Sequence, residues 1–190
     1  MKRNVLTAFW FTLVTTILFG VLYPLAMTGL SQLFFSKQAN GQLIEKKGKI
    51  VGSAIIGQSF TGSGYFHSRP SNAGKGYDAS SSSGSNLAPT NKQLIERVKS
   101  DVQKARTENP GAPVPVDLVT ASGSGLDPDI SPAAAEFQLG RVARERHMGL
   151  DDVRALVRKH TTERQMRVLG EPRVNVLELN LDLDSLHPLR

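Results

Sequence analysis

Between Arg3 and Lys37 the chain carries no Asp, Glu, Lys or Arg, an uncharged run of 33 residues in a protein of 190. A helix needs about 20 predominantly apolar residues to cross the hydrocarbon of a bilayer. Residues 5–27 read VLTAFWFTLVTTILFGVLYPLAM, which is long enough. Thr12, Thr15, Thr16 and Thr28 are tolerable there, because a helical hydroxyl bonds back to a preceding carbonyl. Trp10 and Tyr23 stand near the two ends, where amphipathic rings favour the membrane interface. Pro24 lacks an N–H and is expected to kink or loosen the outer turn.

Two other readings compete with a retained span. A cleaved signal peptide has a core of roughly 7–15 apolar residues and a small-residue cleavage site. This run is longer, lacks a clean A-x-A site, and is followed by further apolar residues at Leu30, Leu33, Phe34 and Phe35. A buried helix of a soluble protein is the third reading. The retained span is favoured, over about 5–27 within an N-terminal region of residues 1–36, and residues 37–190 form the domain. Lys2 and Arg3 favour a cytoplasmic N-terminus, which puts the domain outside. Lys37, Lys46, Lys47 and Lys49 follow the span and pull the other way.

The first 36 residues hold only Lys2 and Arg3 among the charges, leaving +4 of the net +6 on the domain. Cysteine is absent, which excludes disulfides, thiolate metal sites, a Cys nucleophile and a lipid-modified N-terminal Cys. After the span comes a short β-branched run broken by glycines at 49–57, readable as a strand with a turn or bulge. Residues 61–86 are turn chemistry, TGSGYFHSRPSNAGKGYDASSSSGSN. Tyr65, Phe66, Arg69 and Tyr77 within it are costly to leave unpacked, and a loop of this length is uncommon unless it binds something. The plain alternative is a solvated surface loop.

Thr90 with Gln93 reads as a capping box for a helix carrying Leu94, Val98, Val102 and Ala105, stopped at 109–111. Residues 113–120 are expected to be extended, since proline disfavours helix in the residue before it. Ser131-Pro132 opens a second helix to about His147, with Gly149 in its C-terminal turn. Asp151 is expected to cap a third, with Val153, Leu156, Val157 and His160 on one face. Residues 174–184 alternate apolar and polar with a phase slip after Val176, which predicts a strand with a bulge. The expected fold class is an α/β mixed extracytoplasmic domain with few strands, preceded by one transmembrane helix.

Catalytic patterns fail one by one. Gly74-Lys75 lacks the glycine and hydroxyl of a phosphate-binding loop, and Ser124 lacks the glycine of a nucleophile elbow. There is no Ser-x-x-Lys pair, and His67, His147, His160 and His187 show no zinc spacing. Asp127 and Asp129 are candidate cation guides, although such a pair more often favours the start of the helix after it.

Taken in order, the segments YPL at 23–25, QANGQLI at 38–44, GSAIIGQSF at 52–60, GYFHSRPS at 64–71 and GSNLAPTN at 84–91 carry a resemblance. So do DLVTASGSGLDP at 117–128, ISPAAA at 130–135 and EPRVNVLELNLD at 171–182. Together they resemble the C subunit of the bacterial Kdp high-affinity potassium-transporting P-type ATPase, over nearly the whole chain. Departures are small: Ser83-Gly84 stands where the family has paired glycines, and Asn72 where Ala is frequent.

The resemblance implies a single-span inner-membrane accessory subunit, commonly described as a catalytic chaperone that raises the pump's affinity for ATP. Its implied partners are a channel-like potassium-binding subunit, an ATP-hydrolysing P-type subunit, a small fourth subunit and the lipid bilayer, with no nucleic acid. No tightly bound cofactor is implied: ATP belongs to the pump subunit, and potassium is the transported ion. The P-type phosphorylation sequence D-K-T-G is not in this chain. Candidate partner contacts are Gln58, Phe60, Tyr65, Phe66 and Arg69. Gln138 is a candidate nucleotide contact, its plainer reading being a solvated surface amide. The alternative function is an independent membrane-tethered extracytoplasmic hydrolase or binding module.

Overall fold

The computed structural model describes residues 1–189, which divide into two units between Leu43 and Ile44. In the first unit, one helix runs without a break from Lys2 to Phe34. Its 33 residues correspond to about 50 Å at 1.5 Å per residue. It comprises α1 (Lys2–Ile17), a π-helical segment (Leu18–Leu22) and α2 (Tyr23–Phe34). Pro24 does not break it. The segment before it widens, and the Tyr23 N–H bonds the Leu18 carbonyl five residues back. The extra residue in that turn makes room for the proline ring and absorbs the missing donor. Thr7 and Thr15 hydroxyls donate to the carbonyls of Arg3 and Phe11, at 2.9 and 2.8 Å. No residue of α1 or α2 is buried. A short α3 (Ser36–Ala39) follows, and the amides of Gln32 and Asn40 bond each other reciprocally at 3.2 Å.

The second unit opens with a hairpin of β1 (Leu43–Lys46) and β2 (Lys49–Ser53). Residues 54–91 then contain no helix or strand, as the turn-rich sequence predicts. Next comes α4 (Lys92–Glu108). Its cap is Asn91, whose Oδ1 accepts from the Gln93 and Leu94 N–H groups, not Thr90 as the capping box suggests. Leu94, Val98, Val102 and Ala105 are only half-buried, so α4 lies at the periphery. The 113–120 stretch is extended only at its start; Val116–Leu118 is a 3-10 turn.

The core gathers around α5 (Pro132–Glu145), α6 (Leu150–Lys159) and α7 (Val176–Leu186), with a three-stranded antiparallel sheet. Its strand order is β3 (Asp129–Ile130), β5 (Arg173–Asn175), β4 (Thr161–Thr162). In register, Ile130 and Thr161 flank Val174. Ser131 caps α5 as expected, its Oγ accepting from the Ala134 N–H at 3.0 Å. The helix buries Ala134, Ala135, Leu139, Val142 and Ala143. It ends where His147 turns left-handed, at φ 54°. Gly149 is therefore the N-cap of α6, and Asp151 sits inside the first turn beside Asp152, favourable to the helix dipole.

The largest correction concerns residues 174–184. Only Arg173–Asn175 is strand, and α7 begins at Val176. Asn175 caps α7 by accepting from the Glu178 N–H at 3.0 Å. Asn-x-x-Glu is a capping pattern. The phase slip after Val176 marks the change from strand to helix. Val176, Leu179, Asn180 and Leu183 form the buried stripe at helical spacing.

At the end of α6, Lys159 and His160 both grip Asp182 of α7, at 2.7 and 2.9 Å. The hydrogen bond from Lys159, then that from His160, holds the Asp182 carboxyl down to about 2, against partial burial. Its folded value lies below its ordinary 3.8, so its contribution is complete above that pH and is lost as pH falls toward about 2. Asp182→Asn should therefore lower the melting temperature at neutral pH, converge on the parent as pH falls toward about 2, and so flatten the acid limb of a pH–melting curve.

Candidate functional site

The aromatic and arginine segment 58–69 has no backbone ladder of its own. It is held by side chains of α5 and α7. Asn180 of α7 bonds both backbone groups of Phe66: Oδ1 accepts from the N–H and Nδ2 donates to the carbonyl, each at 2.9 Å. Gln138 of α5 does the same for His67, at 2.8 and 3.1 Å. Two amides thus mimic a strand on either side of one dipeptide, satisfying backbone groups that burial would leave unpaired. Asn180 is 0% exposed and Gln138 2%.

Two arginines complete the clasp. Arg141 donates to the carbonyls of Ser63 and Tyr65, at 2.5 and 2.7 Å, and pairs with Glu108 of α4 at 2.9 Å. The Arg146 side chain, 0% exposed, donates to the Gly64 and His187 carbonyls and pairs with Asp184 at 2.9 Å. Its guanidinium lies 4.7 Å from the centroid of the Tyr65 ring, a cation–π distance. The Tyr65 hydroxyl donates to Asp184 at 3.1 Å; burial, then that bond, pushes the phenol up. His67 Nε2 faces the Gly62 carbonyl at 3.0 Å, and a carbonyl only accepts, so Nε2 carries the proton. Burial, then the Arg141 charge, pushes His67 down and keeps the ring neutral at neutral pH.

The sequence candidates separate in this frame. Phe66 is 0% exposed, so its ring serves the core and presents nothing to a partner. Phe60 packs on that core and against Tyr65, with ring centroids 5.4 Å apart, and both stay partly exposed. Gln58 donates to the Val51 carbonyl at 3.3 Å. Arg69 is a bracket: it pairs with Asp127 at 2.8 Å and donates to the Thr120 carbonyl at 3.3 Å. The Tyr77 hydroxyl closes the loop by bonding the Arg69 carbonyl. Gln138 is neither a solvated amide nor free for a nucleotide, since Oε1 and Nε2 are both engaged.

Asp127 and Asp129 border a cleft of about 490 Å³, lined also by Arg69, Asp117, Glu171 and Arg173. Each carboxylate has an arginine: Arg69 for Asp127, and Arg173 for Asp129 at 3.1 Å. Burial pushes the Asp129 carboxyl up despite Arg173, and the Asp127 charge adds to the shift. Asp117 is occupied by the N–H and hydroxyl of Ser131, at 2.7 and 3.1 Å. Among the described residues no group of three or more His, Asp or Glu is placed to hold a metal ion.

Sequence reasoning missed Asn180, Arg141 and Arg146. The amides did leave a signal. Gln138 lies in the stripe Ala134–Gln138–Val142, and Asn180 in Val176–Asn180–Leu183, so each is an amide on an otherwise apolar helix face.

The model of the family described as K+-transporting ATPase, c chain, KdpC, matches residues 5–185. The chain belongs to the KdpC family. A potassium-transporting ATPase KdpC subunit of Koribacter versatilis is 59% identical over 189 residues, covering 100% of this chain and 98% of that protein. Those of Acidobacterium capsulatum and Rhodospirillum rubrum are 58% and 56% identical, covering 95% and 92% of this chain and 97% and 91% of theirs. The chain is thus a subunit of a potassium-transporting ATPase, and the amide-clasped segment is a feature of a KdpC-family domain.

Proposed function

We propose that this chain is the accessory subunit of the high-affinity potassium pump, anchored in the bacterial inner membrane by its N-terminal helix. The N-terminus is cytoplasmic and the domain extracytoplasmic. The subunit is non-catalytic: it holds the channel-like and P-type subunits, and the small fourth subunit, in one assembly and raises the ATP affinity of the P-type partner. ATP binds the pump subunit, and potassium passes through the channel-like one.

The observation that carries this reading is the immobilised segment 58–69. A surface loop that is clasped by two buried amides and two arginines costs no ordering entropy on docking. Ser59 and Thr61 are exposed at its edge, beside the partly exposed rings of Phe60 and Tyr65. With the domain outside, any effect on ATP affinity acts by favouring one state of the pump, which needs no nucleotide contact. The engaged state of Gln138 agrees with that route.

Thr61→Arg adds bulk and charge at an exposed position while leaving the clasp intact. Pull-down of the pump subunits by this variant should weaken about tenfold or more, the loss of a single anchoring contact. In the reconstituted complex, the ATP KM of potassium-stimulated hydrolysis should rise toward its value without the chain. Unchanged recovery and unchanged KM, in a variant that melts like the parent, would reject docking through this segment.

A further inference from the structure

We propose that the β1–β2 hairpin seats on the membrane surface, its lysine turn binding the phosphates of anionic lipid headgroups in the leaflet from which the N-terminal helix emerges. This rests on the membrane-anchored reading given above. The two-residue turn is Lys47-Gly48, both with positive φ, 53° and 75°. That is the backbone of a type I′ hairpin, where Asn-Gly is the favoured pair. A lysine in the left-handed region is unfavourable to the isolated fold.

A turn of this length also sets Lys46 and Lys49, which close the two strands, opposite one another. Like charges facing across a strand pair are destabilising. Three cations therefore crowd one tip at a cost to the fold. The lysine ion pairs among the described residues are those of Lys104 and Lys159, so Lys46, Lys47 and Lys49 have none. Elsewhere in the domain Arg69, Arg141, Arg146, Arg154, Arg164 and Arg173 are matched by carboxylates.

Apolar side chains accompany the charges. Ile50 is 65% exposed and Ile55, in the turn after β2, 50%. Aliphatic residues beside a basic tip have the composition of interfacial membrane contacts. The nine residues between Phe34 and Ile44, with Ser36–Ala39 helical, reach less than about 30 Å, the span of a fully extended chain, which keeps the hairpin within reach of the leaflet. Complementary charge selects anionic lipid as the occupant. Each lysine near such a surface strengthens binding about fivefold.

The chain has no cysteine, so one introduced thiol reports alone. The full chain carrying Ile50→Cys, labelled with an environment-sensitive fluorophore, is placed in nanodiscs of phosphatidylcholine or of a phosphatidylglycerol mixture. A matching Ile55→Cys chain gives an independent reading. The expected result is a blue shift in the anionic discs, lost in high salt and lost with Lys46→Gln, Lys47→Gln and Lys49→Gln combined. Emission that stays aqueous in anionic discs overturns the proposal, as does an equal shift in neutral discs that ignores the lysines. A shift that appears only when the pump subunits are added assigns the hairpin to a protein interface instead. A chain that never enters the discs overturns the anchor itself, and this proposal with it.

Discussion

Asn180→Leu should strip the domain of about 2–6 kcal/mol, a large share of the 5–15 kcal/mol typical of a folded domain. Leucine shares the branching and heavy-atom count of asparagine but is bulkier, so the substitution leaves no cavity and adds overpacking to the lost bonds. It removes both partners of the Phe66 backbone, whose N–H and carbonyl each bond Asn180 at 2.9 Å. Phe66 and Asn180 are both 0% exposed, so water cannot take over either bond. Each unpaired buried backbone group costs about 1–3 kcal/mol. Thermal unfolding of the detergent-solubilised full chain should shift down by roughly 10 °C. Hydrogen exchange should accelerate first at the Phe66 and His67 amides. Asn180→Asp keeps an acceptor for the N–H but loses the donor and buries a charge, so it should not rescue. Gln138→Leu should follow the same pattern at His67. An Asn180→Leu chain melting at the parent temperature would mean that the loop is held by something other than the clasp.

How far such a site can be read from residues alone depends on the range of the interactions. Local chemistry was legible: Ser131-Pro132 opened α5, 109–111 closed α4, and the uncharged run became one helix as far as Phe34. Caps were misplaced by one or two positions, Thr90 for Asn91 and Asp151 for Gly149, because several neighbouring residues can accept the same N–H groups. The 174–184 segment misled because Leu177, Leu179, Leu181 and Leu183 alternate as a strand does. Leu177, Leu179 and Leu183 with Val176 and Asn180 also fill a helical face, Leu181 staying half-buried, and the cap at Asn175 decides between the two. The clasp joins residues 66 and 67 to residues 138 and 180, separations of 71 and 114 in the chain. No local pattern reports such a pairing; an amide on an apolar stripe says only that some partner exists. For the same reason Phe66 read as a contact residue, since exposure of an aromatic in a glycine-rich loop is decided by what folds over it.

Arg146→Met is the companion test, because it removes a charge where the Asn180 change removes a neutral amide. The guanidinium sits at 0% side-chain exposure and reaches in three directions: to Gly64, to His187 and to Asp184. Methionine fills the space of the stem but none of these bonds. Breaking a pair whose surviving charge stays buried costs about 3–5 kcal/mol, an upper bound here, and the buried Gly64 carbonyl is orphaned as well. Asp184 is 29% exposed and His187 is exposed, so both can rehydrate, and most of the loss belongs to the buried Gly64 carbonyl and to the Tyr65 ring. Arg146→Lys should recover little, since a single ammonium cannot replace a planar fork. The double change Arg146→Met with Asp184→Leu should cost less than the two single changes added, the sign of direct coupling in a denaturant-melt cycle. Functional consequences separate the clasp from plain stability. If segment 58–69 docks on the pump, Arg146→Met should raise the ATP KM of the assembled complex at temperatures well below its melting point. A lowered melting point with an unaltered KM would leave the arginine as scaffold for the domain alone and would move the docking surface elsewhere.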